Sequence, residues 1–476
     1  MNIEYYKWSK KNSKILYKSL KDILGIQEPQ LYFPIMSLFF YIHNTPYSHK
    51  TIDFKRDYYL TKIINKYEHK SNLLINGEVT HKNNKQHKQL FGKIIPLIDP
   101  IHYLLNNYNL SIHRNPLLPS NYSFNTFTKI NDMNNMAYID VFLSYLVSQI
   151  TIDDKNPSFP IYYGSFNCIG NYNYDISDDI HEFKNHKGFN KIHKQVSINK
   201  LPVDYYSNSS SDSSSDSYCS TDSDNSSSNS DYDYISTLKN IPIIYLFIES
   251  LSGTLEDIIK GNLYLPLLKS CLFQVSFALI YLQKHLKCTH NDLHINNIMY
   301  TETDKPYLYY KYNNQYFKVP TYGKLFKIID FGRSIFTFRD KTYMNDVFSK
   351  YGEAEGQYTH PPQVSFLKTD LTNVVYPSYH FDLCRLAITM IDEIRYNHDD
   401  KLEDEDEYQD FLDFLKYLVT DKNDKRLDKE EDNFDLYIKI SRDACNCLPR
   451  EVITNKFFHE YRVKKKQFPK STYYSV

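Results

Sequence analysis

Apolar residues recur along this chain with two different periods, and the change of period divides it. LLINGEV (73–79) and QLFGKIIPL (89–97) predict strands joined by a polar connection, with Gly77 and Asn83-Asn84 as turn formers. AYIDVFLSYLVSQI (137–150) spaces its apolar residues as a helix does, and FPIYYGSFNCI (159–169) predicts another strand. IPIIYLFIES (241–250) is a dense apolar strand, followed at once by GTLEDII, a helix start with acids in its first turns. Beyond it the pattern is helical. LLKSCLFQVSFALIYLQKHL (267–286) predicts a long buried helix and YHFDLCRLAITMIDEI (379–394) a second core helix. Near the start, KNSKILYKSLKDILG (11–25) predicts an amphipathic helix ending at Gly25. Strands with one helix first, then helices, predict an α+β chain of two unequal lobes meeting near residue 251.

Three polar stretches punctuate this pattern. Ser207 to Asp231 is almost wholly Ser, Asp and Asn, which cannot offset its ordering entropy, so a disordered insertion is expected over about 204–236. Its Ser residues with Asp two or three positions on also suit acid-directed phosphorylation, although a solvated linker is the plainer account. DDKLEDEDE (399–407) is expected to be a solvated acidic loop, and YRVKKKQFPK (461–470) an exposed, disordered basic end. The expected layout is an extension of unknown role (1–70), a small β-rich lobe (71–250), a larger helical lobe (251–463) and a basic tail (464–476).

Composition narrows the classes. With 56 Lys and Arg against 57 Asp and Glu, the 476 residues carry a net charge of −1. Bulk charge therefore does not hold the protein on nucleic acid or an anionic membrane, and neither a specific nucleic acid nor a membrane is expected as partner. The abundant Tyr, Lys, Asn and Ile share A/T-rich codons, so coding bias explains the aromatic excess. Seven Cys without a C-x-x-C pair argue for a reducing compartment and against a disulfide framework or structural zinc. The N-terminus lacks the apolar core of a signal peptide. Residues 30–43 are too short for a membrane span and carry Pro34, while 263–286 is interrupted by Lys269, Gln274 and Gln283. An intracellular, cytoplasmic protein is expected.

The chemistry lies in THNDLHINNIMY (289–300) and FKIIDFGRS (326–334). Phosphoryl transfer from a nucleotide needs a carboxylate to hold the acceptor hydroxyl in line, for which Asp292 is the candidate. It also needs oxygen ligands for a divalent metal bridging the phosphates, for which Asp330 and Asn297 are the candidates. HxDxxxxN with a downstream strand-DFG, after a long apolar helix, is a strong joint signal.

On these residues the chain resembles the protein-kinase superfamily. His290-Asn291-Asp292-Leu293 with Asn297 matches the catalytic loop, and Asp330-Phe331-Gly332 the metal-binding motif. The resemblance implies further roles. Glu249 would start the hinge whose backbone reads adenine, with Leu251 and Met299 in the same nucleotide-binding set, and GTLEDII would be the helix after it. Asp382 would brace the catalytic loop from beneath, and Arg426 in KNDKRL would buttress the large lobe. The match covers roughly 70–460 and is strongest from 241 to 395. The Asn/Tyr/Lys bias is similar to that of serine/threonine-kinase-like proteins of giant DNA viruses, which would place the protein in host cytoplasm. A bilobal kinase-like fold is implied. So is ATP-dependent transfer, with Mg2+ (or Mn2+), to Ser or Thr hydroxyls of a protein substrate. The oligomeric state is unreadable.

The departures from the family pattern are specific. No G-x-G occurs anywhere, so the glycine-rich cover over the phosphates is absent. Lys93 in LFGKII is the candidate phosphate-holding Lys, or else a surface Lys on an edge strand. Asp140 in AYIDVFLSYL pairs with Lys93 if it faces the core, and is otherwise a solvated first-turn acid. Asn291 replaces the Arg that grips a phosphorylated activation loop, so activity is expected not to depend on such phosphorylation. His294 stands where serine/threonine kinases carry a phosphate-neutralising Lys, and His290 is expected to orient the loop rather than act as a base. YTHPPQ (358–363) resembles the end of the activation segment, with Gln363 in place of the Glu that would pair Arg426. Between Asn297 and Asp330, residues 305–323 read as an inserted hairpin around Asn313-Asn314. Two other readings share these residues: a pseudokinase scaffold, which the missing glycine loop favours, and a small-molecule kinase of the choline or aminoglycoside type.

Overall fold

The computed structural model describes residues 5–7, 9–30, 52–69, 72–82, 84–108, 128–177, 180–191, 196–202, 232–349, 352–358, 375–402, 405–429 and 433–476. The Ser/Asp-rich stretch at 203–231 and Gln363 lie outside them. The chain is mixed α+β and separates into two compact units, Met1–Ala137 with Ile161–Ser250, and Tyr138–Pro160 with Leu251–Val476.

In the first unit, seven strands form one antiparallel sheet. In order across it run β2 (Gln27–Gln30), β7 (Tyr162–Asp175), β9 (Tyr232–Glu249), β6 (Asn84–Pro96), β5 (Asn72–His81) and β4 (Tyr58–His69), with β8 (Val196–Pro202) also on β9. The short β1 (Tyr5–Lys7) and β3 (Ile52–Phe54) pair with each other. β5 alternates buried and half-buried residues along its length, the period-two pattern that LLINGEV predicts. The sheet curls, so that Arg56, just before β4, reaches β7 with an Nε–H bond to the Tyr163 carbonyl at 3.3 Å. Its guanidinium is buried on Asp53 at 2.8 Å and lies over the Tyr162 ring.

Residues before 70 are thus part of this sheet rather than a separate extension. The amphipathic helix α1 (Lys10–Leu24) buries Leu16, Leu20 and Leu24, and its Ser19 hydroxyl accepts the β4 Ile63 N–H at 3.1 Å. It ends on Gly25 at φ 68°, a left-handed residue that caps Lys21 O, as its sequence predicts. Gly77, in contrast, is not a turn former. It lies mid-strand, where a Cβ would come within 2.7 Å of a Leu60 methyl, and the chain reverses at Lys82 instead. Residues 232–236, expected in the disordered insertion, belong to β9 and pair with β7 and β8.

The second unit is built on helix α4 (Leu265–Leu286), following α2 (Met136–Ile152) and the short α3 (Leu255–Lys260). α3 opens on a capping box between Thr254 and Asp257. α4 is the one described helix long and apolar enough to cross a membrane, but 78% of its apolar window is buried inside the protein. Its polar Gln274 is satisfied there: Phe326 N donates to it and it donates to Ser270. Phe273 meets Tyr310, Phe317, Phe458 and Tyr461, which sets the expected hairpin, β12 (Tyr307–Tyr312) and β13 (Gln315–Pro320), against α4. β10 (Gly253–Thr254), β11 (Ile298–Glu302) and β14 (Lys324–Ile328) form a three-stranded sheet, and β15 (Ile335–Phe338) pairs with β16 (Lys341–Met344). The helices α5 (Phe381–Leu402), α6 (Asp406–Leu418) and α7 (Asn433–Asp443) complete the unit.

Two polar segments differ from expectation. The acidic run at 399–407 is largely helical: α5 continues through Leu402 and α6 resumes at Asp406, with its acids at the helix start where the dipole favours them. The basic tail is ordered. Its last strand, β17 (Tyr474–Ser475), pairs in parallel with β12, Tyr474 is buried, and Phe468 packs on Tyr309 and Tyr316. Aromatic residues interleaved with the lysines supply the apolar contact that the charge count hides.

Gly92 sits in β6 where a Cβ would lie 2.8 Å from Leu73 and 2.9 Å from Phe247. Gly92→Ala is expected to destabilise the first unit by about 1–3 kcal/mol through overpacking, seen as a lower urea midpoint.

Candidate active site

Asp292, Asn297 and Asp330 all belong to the second unit, and the local backbone explains how each is held. The loop from Thr289 to Asn297 leaves α4 and ends in a single 3₁₀ turn (Ile295–Asn297) before β11. Thr289 exchanges backbone hydrogen bonds with Ile335 in both directions. The carboxylate of Asp382, fully buried on the first turn of α5, takes the N–H groups of His290 at 3.0 and 3.1 Å and of Asn291 at 2.9 Å. Burial pushes the Asp382 carboxyl up, while these N–H bonds pull the other way.

His290 Nδ1 faces the Asp292 N–H at 3.3 Å and its Nε2 lies 2.8 Å from the Ile329 carbonyl. The two contacts fit one neutral tautomer, with the proton on Nε2. Both nitrogens are therefore spent on backbone, which suits an orienting residue and not a base. Asn291 and Asp330 both adopt left-handed backbone, at φ 65° and 60°, a conformation that Asn and Asp tolerate best among residues with a side chain.

Asn297 donates from its amide nitrogen to the Asp292 carbonyl at 2.9 Å and lies 2.9 Å from His294 Nε2, while its own carbonyl takes the Ile329 N–H at 3.1 Å. The last bond ties it to the residue before Asp330. Asp330 accepts the Gly332 N–H at 3.3 Å in a tight turn. Its charge is near enough to push the Asp292 carboxyl up. Burial also pushes Asp292 up, but the neighbouring Arg333, His294 and Arg385 outweigh both and hold it below the usual carboxylate range. Oxygen donors from Asp330 and Asn297 are of the hard type that magnesium takes. Because the Asn297 nitrogen is turned to the loop, its Oδ1 is the end left for a ligand.

Asp140 is buried in α2 and accepts the Phe331 N–H at 3.1 Å, so it is not a solvated first-turn acid. Lys93 belongs to the first unit, in β6 opposite Leu246. β6 lies between β5 and β9, so Lys93 is not on an edge strand. Glu249 ends β9, where its N–H donates to Ile161 O at 2.9 Å and its carboxylate accepts Ile161 N–H at 3.1 Å. Leu251 opens the second unit. Met299 lies in β11 between Thr254 and Lys327.

Several contacts around the site join residues far apart in the sequence. Asn291 donates to Arg333 O at 3.0 Å and accepts the Tyr358 hydroxyl at 2.8 Å, which pins both described ends of the segment after Asp330. Asn345 donates to Gly332 O. Tyr437 on α7 donates to Asp292 Oδ1 at 3.0 Å and accepts the Nε–H of Arg385 at 3.0 Å. Arg385 lies one turn along α5 from Asp382 and was within reach of a helical-spacing argument; Tyr437, 145 residues beyond Asp292, was not. Arg426 bonds Asp428, two residues on, at 2.8 Å.

No family model matches the chain. A protein of Dictyostelium discoideum described as a probable serine/threonine-protein kinase is 38% identical over 109 residues. That stretch is 21% of this chain and 9% of the Dictyostelium protein, so the similarity is local.

Asp382→Ala would leave two buried N–H groups without an acceptor. It is expected to cost about 3 kcal/mol and to raise amide exchange at 289–297, measured by denaturant unfolding and hydrogen exchange.

Proposed function

We propose that this chain is a protein kinase that transfers the γ-phosphoryl group of ATP to Ser or Thr hydroxyls. The observation that carries the reading is the tie of Asn297 to the Asp292 carbonyl and to the N–H of Ile329, which links the backbone at the three candidate residues. The local similarity to a kinase sequence and the brace from Asp382 support it. In this reading the fold is bilobal, with the first unit as the small lobe and the second as the large one.

Asp292 orients the acceptor hydroxyl and takes its proton late in the transfer. Its carboxylate stays ionised because Arg333, His294 and Arg385 offset burial. Asp330 and Asn297 would hold Mg2+, which when bound neutralises charge on the transferred group. Asp140, by fixing the Phe331 N–H, sets the turn that aims Asp330. Lys93 would hold the α- and β-phosphates. The backbone at Glu249 and Leu251 would read the adenine, and Met299 would belong to the same nucleotide-binding set. Asn291 ties Arg333 and Tyr358 through neutral hydrogen bonds, which supports activity without phosphorylation of the intervening segment. A protein substrate and an intracellular site of action complete the proposal.

Asp292→Asn is expected to lower phosphate incorporation about 10³-fold or more while nucleotide binding is retained, read by mass spectrometry of protein incubated with MgATP. Equal incorporation by parent and variant would remove Asp292 from this role. Asp330→Ala, or chelation of divalent metal, is expected to abolish new phosphosites. Sites that persist in either case would point to another enzyme, and a parent that binds MgATP yet forms none would favour the scaffold reading.

A further inference from the structure

We infer that Tyr437, oriented by Arg385, is a positioning residue for Asp292: it fixes the plane of the carboxylate so that one oxygen faces the acceptor hydroxyl. The inference rests on the kinase reading of the site and assigns a part to α7 that neither the catalytic loop nor the turn at Asp330 supplies.

A carboxylate plane rotates easily, because the last torsion of an Asp side chain has a broad, shallow profile. Bonds to the loop backbone do not restrain it, since they hold the main chain of residues 290, 291 and 292 and leave that torsion free. The bond from Tyr437 does, at 3.0 Å to Oδ1. Its direction follows from chemistry. Arg385 only donates, and its Nε–H takes a lone pair of the Tyr437 oxygen at 3.0 Å. The phenol proton is then left for Asp292. Among the described residues no hydrogen bond reaches Oδ2, the oxygen available to an acceptor.

The phenol is itself held rigidly. Tyr437 is 2% exposed and Arg385 5%. The Tyr437 ring stacks with Phe434 at 6.1 Å, meets Phe381 at 5.8 Å, and has the Arg385 and Arg333 guanidiniums at 4.9 and 5.9 Å. α7 is anchored in turn on residues after β16: Ser441 donates to Gln357 O at 3.1 Å and Arg442 to Gly356 O at 2.9 Å. The same helix therefore holds the end of the segment after Asp330 and the carboxylate.

The test uses the full chain with MgATP, reading phosphate transfer to casein and to the chain itself, with ATP binding measured alongside. Tyr437→Phe deletes only the hydroxyl. It is expected to lower kcat about ten- to a hundredfold, with the KM for ATP and for casein unchanged and ATP binding intact. In an Asp292→Asn background the same change is expected to add nothing to the residual loss. A parent that transfers no phosphate sinks the kinase reading, and this inference with it. A parent that transfers phosphate as fast as Tyr437→Phe leaves the reading standing and overturns the role of Tyr437. A faster variant also overturns it, since the phenol would then be a plug in the acceptor's place. If Tyr437→Phe does not fold, Arg385→Lys, which keeps the charge but loses the Nε–H, is expected to show the same loss confined to kcat, and an unchanged kcat overturns the inference.

Discussion

Everything proposed for the second unit depends on one buried carboxylate. Asp382 gathers the N–H groups of two consecutive residues, and those residues bracket the start of the loop that carries Asp292. Placing a charged group inside a protein is costly unless it is well bonded, and here the loop backbone supplies the bonds. The arrangement is mutual: the loop N–H groups would be orphaned without Asp382, and Asp382 would be an unsatisfied buried acid without the loop. Because Asp382 stands on α5, the position of the loop is fixed to a long core helix rather than to solvent-exposed chain.

From that anchor the site grows by backbone bonds more than by side-chain charge. His290 spends both ring nitrogens on main chain, Asn297 joins the loop to the residue before Asp330, and Asp140 takes the N–H of Phe331. Asn291 adds the described ends of the following segment. Each is a neutral or short charge-assisted bond in a place of low exposure, where geometry is held more tightly than by surface ion pairs. Strain is present at two points, Asn291 and Asp330, and both are residue types that accept left-handed backbone.

The parts of this design that the sequence reveals are those that sit close together along it. Asp292 and Asn297 lie in one short loop, the turn after β14 is three residues long, and Asp382 starts an obvious helix. The major elements also follow from periodicity, because α4 and β5 bury continuous or alternating faces. What escapes is tertiary. Gly77 looks like a turn residue until Leu60 is found where its side chain would be. The tail reads as charge until Phe468 and Tyr474 find the inserted hairpin. The strands before residue 70 carry too many lysines and tyrosines to read as sheet, yet β4 pairs with β5 along most of its length. Tyr437 bonds Asp292 from another helix, and no spacing rule connects the two.

The separation of Tyr437 from Asp292 also has a meaning in time. Synthesis runs from the N-terminus at about 5–20 residues per second, so the loop carrying Asp292 leaves the ribosome roughly seven to thirty seconds before Tyr437, 145 residues later. A nascent chain therefore contains Asp382, the loop's backbone brace, before the residue that bonds the Asp292 carboxylate has been made.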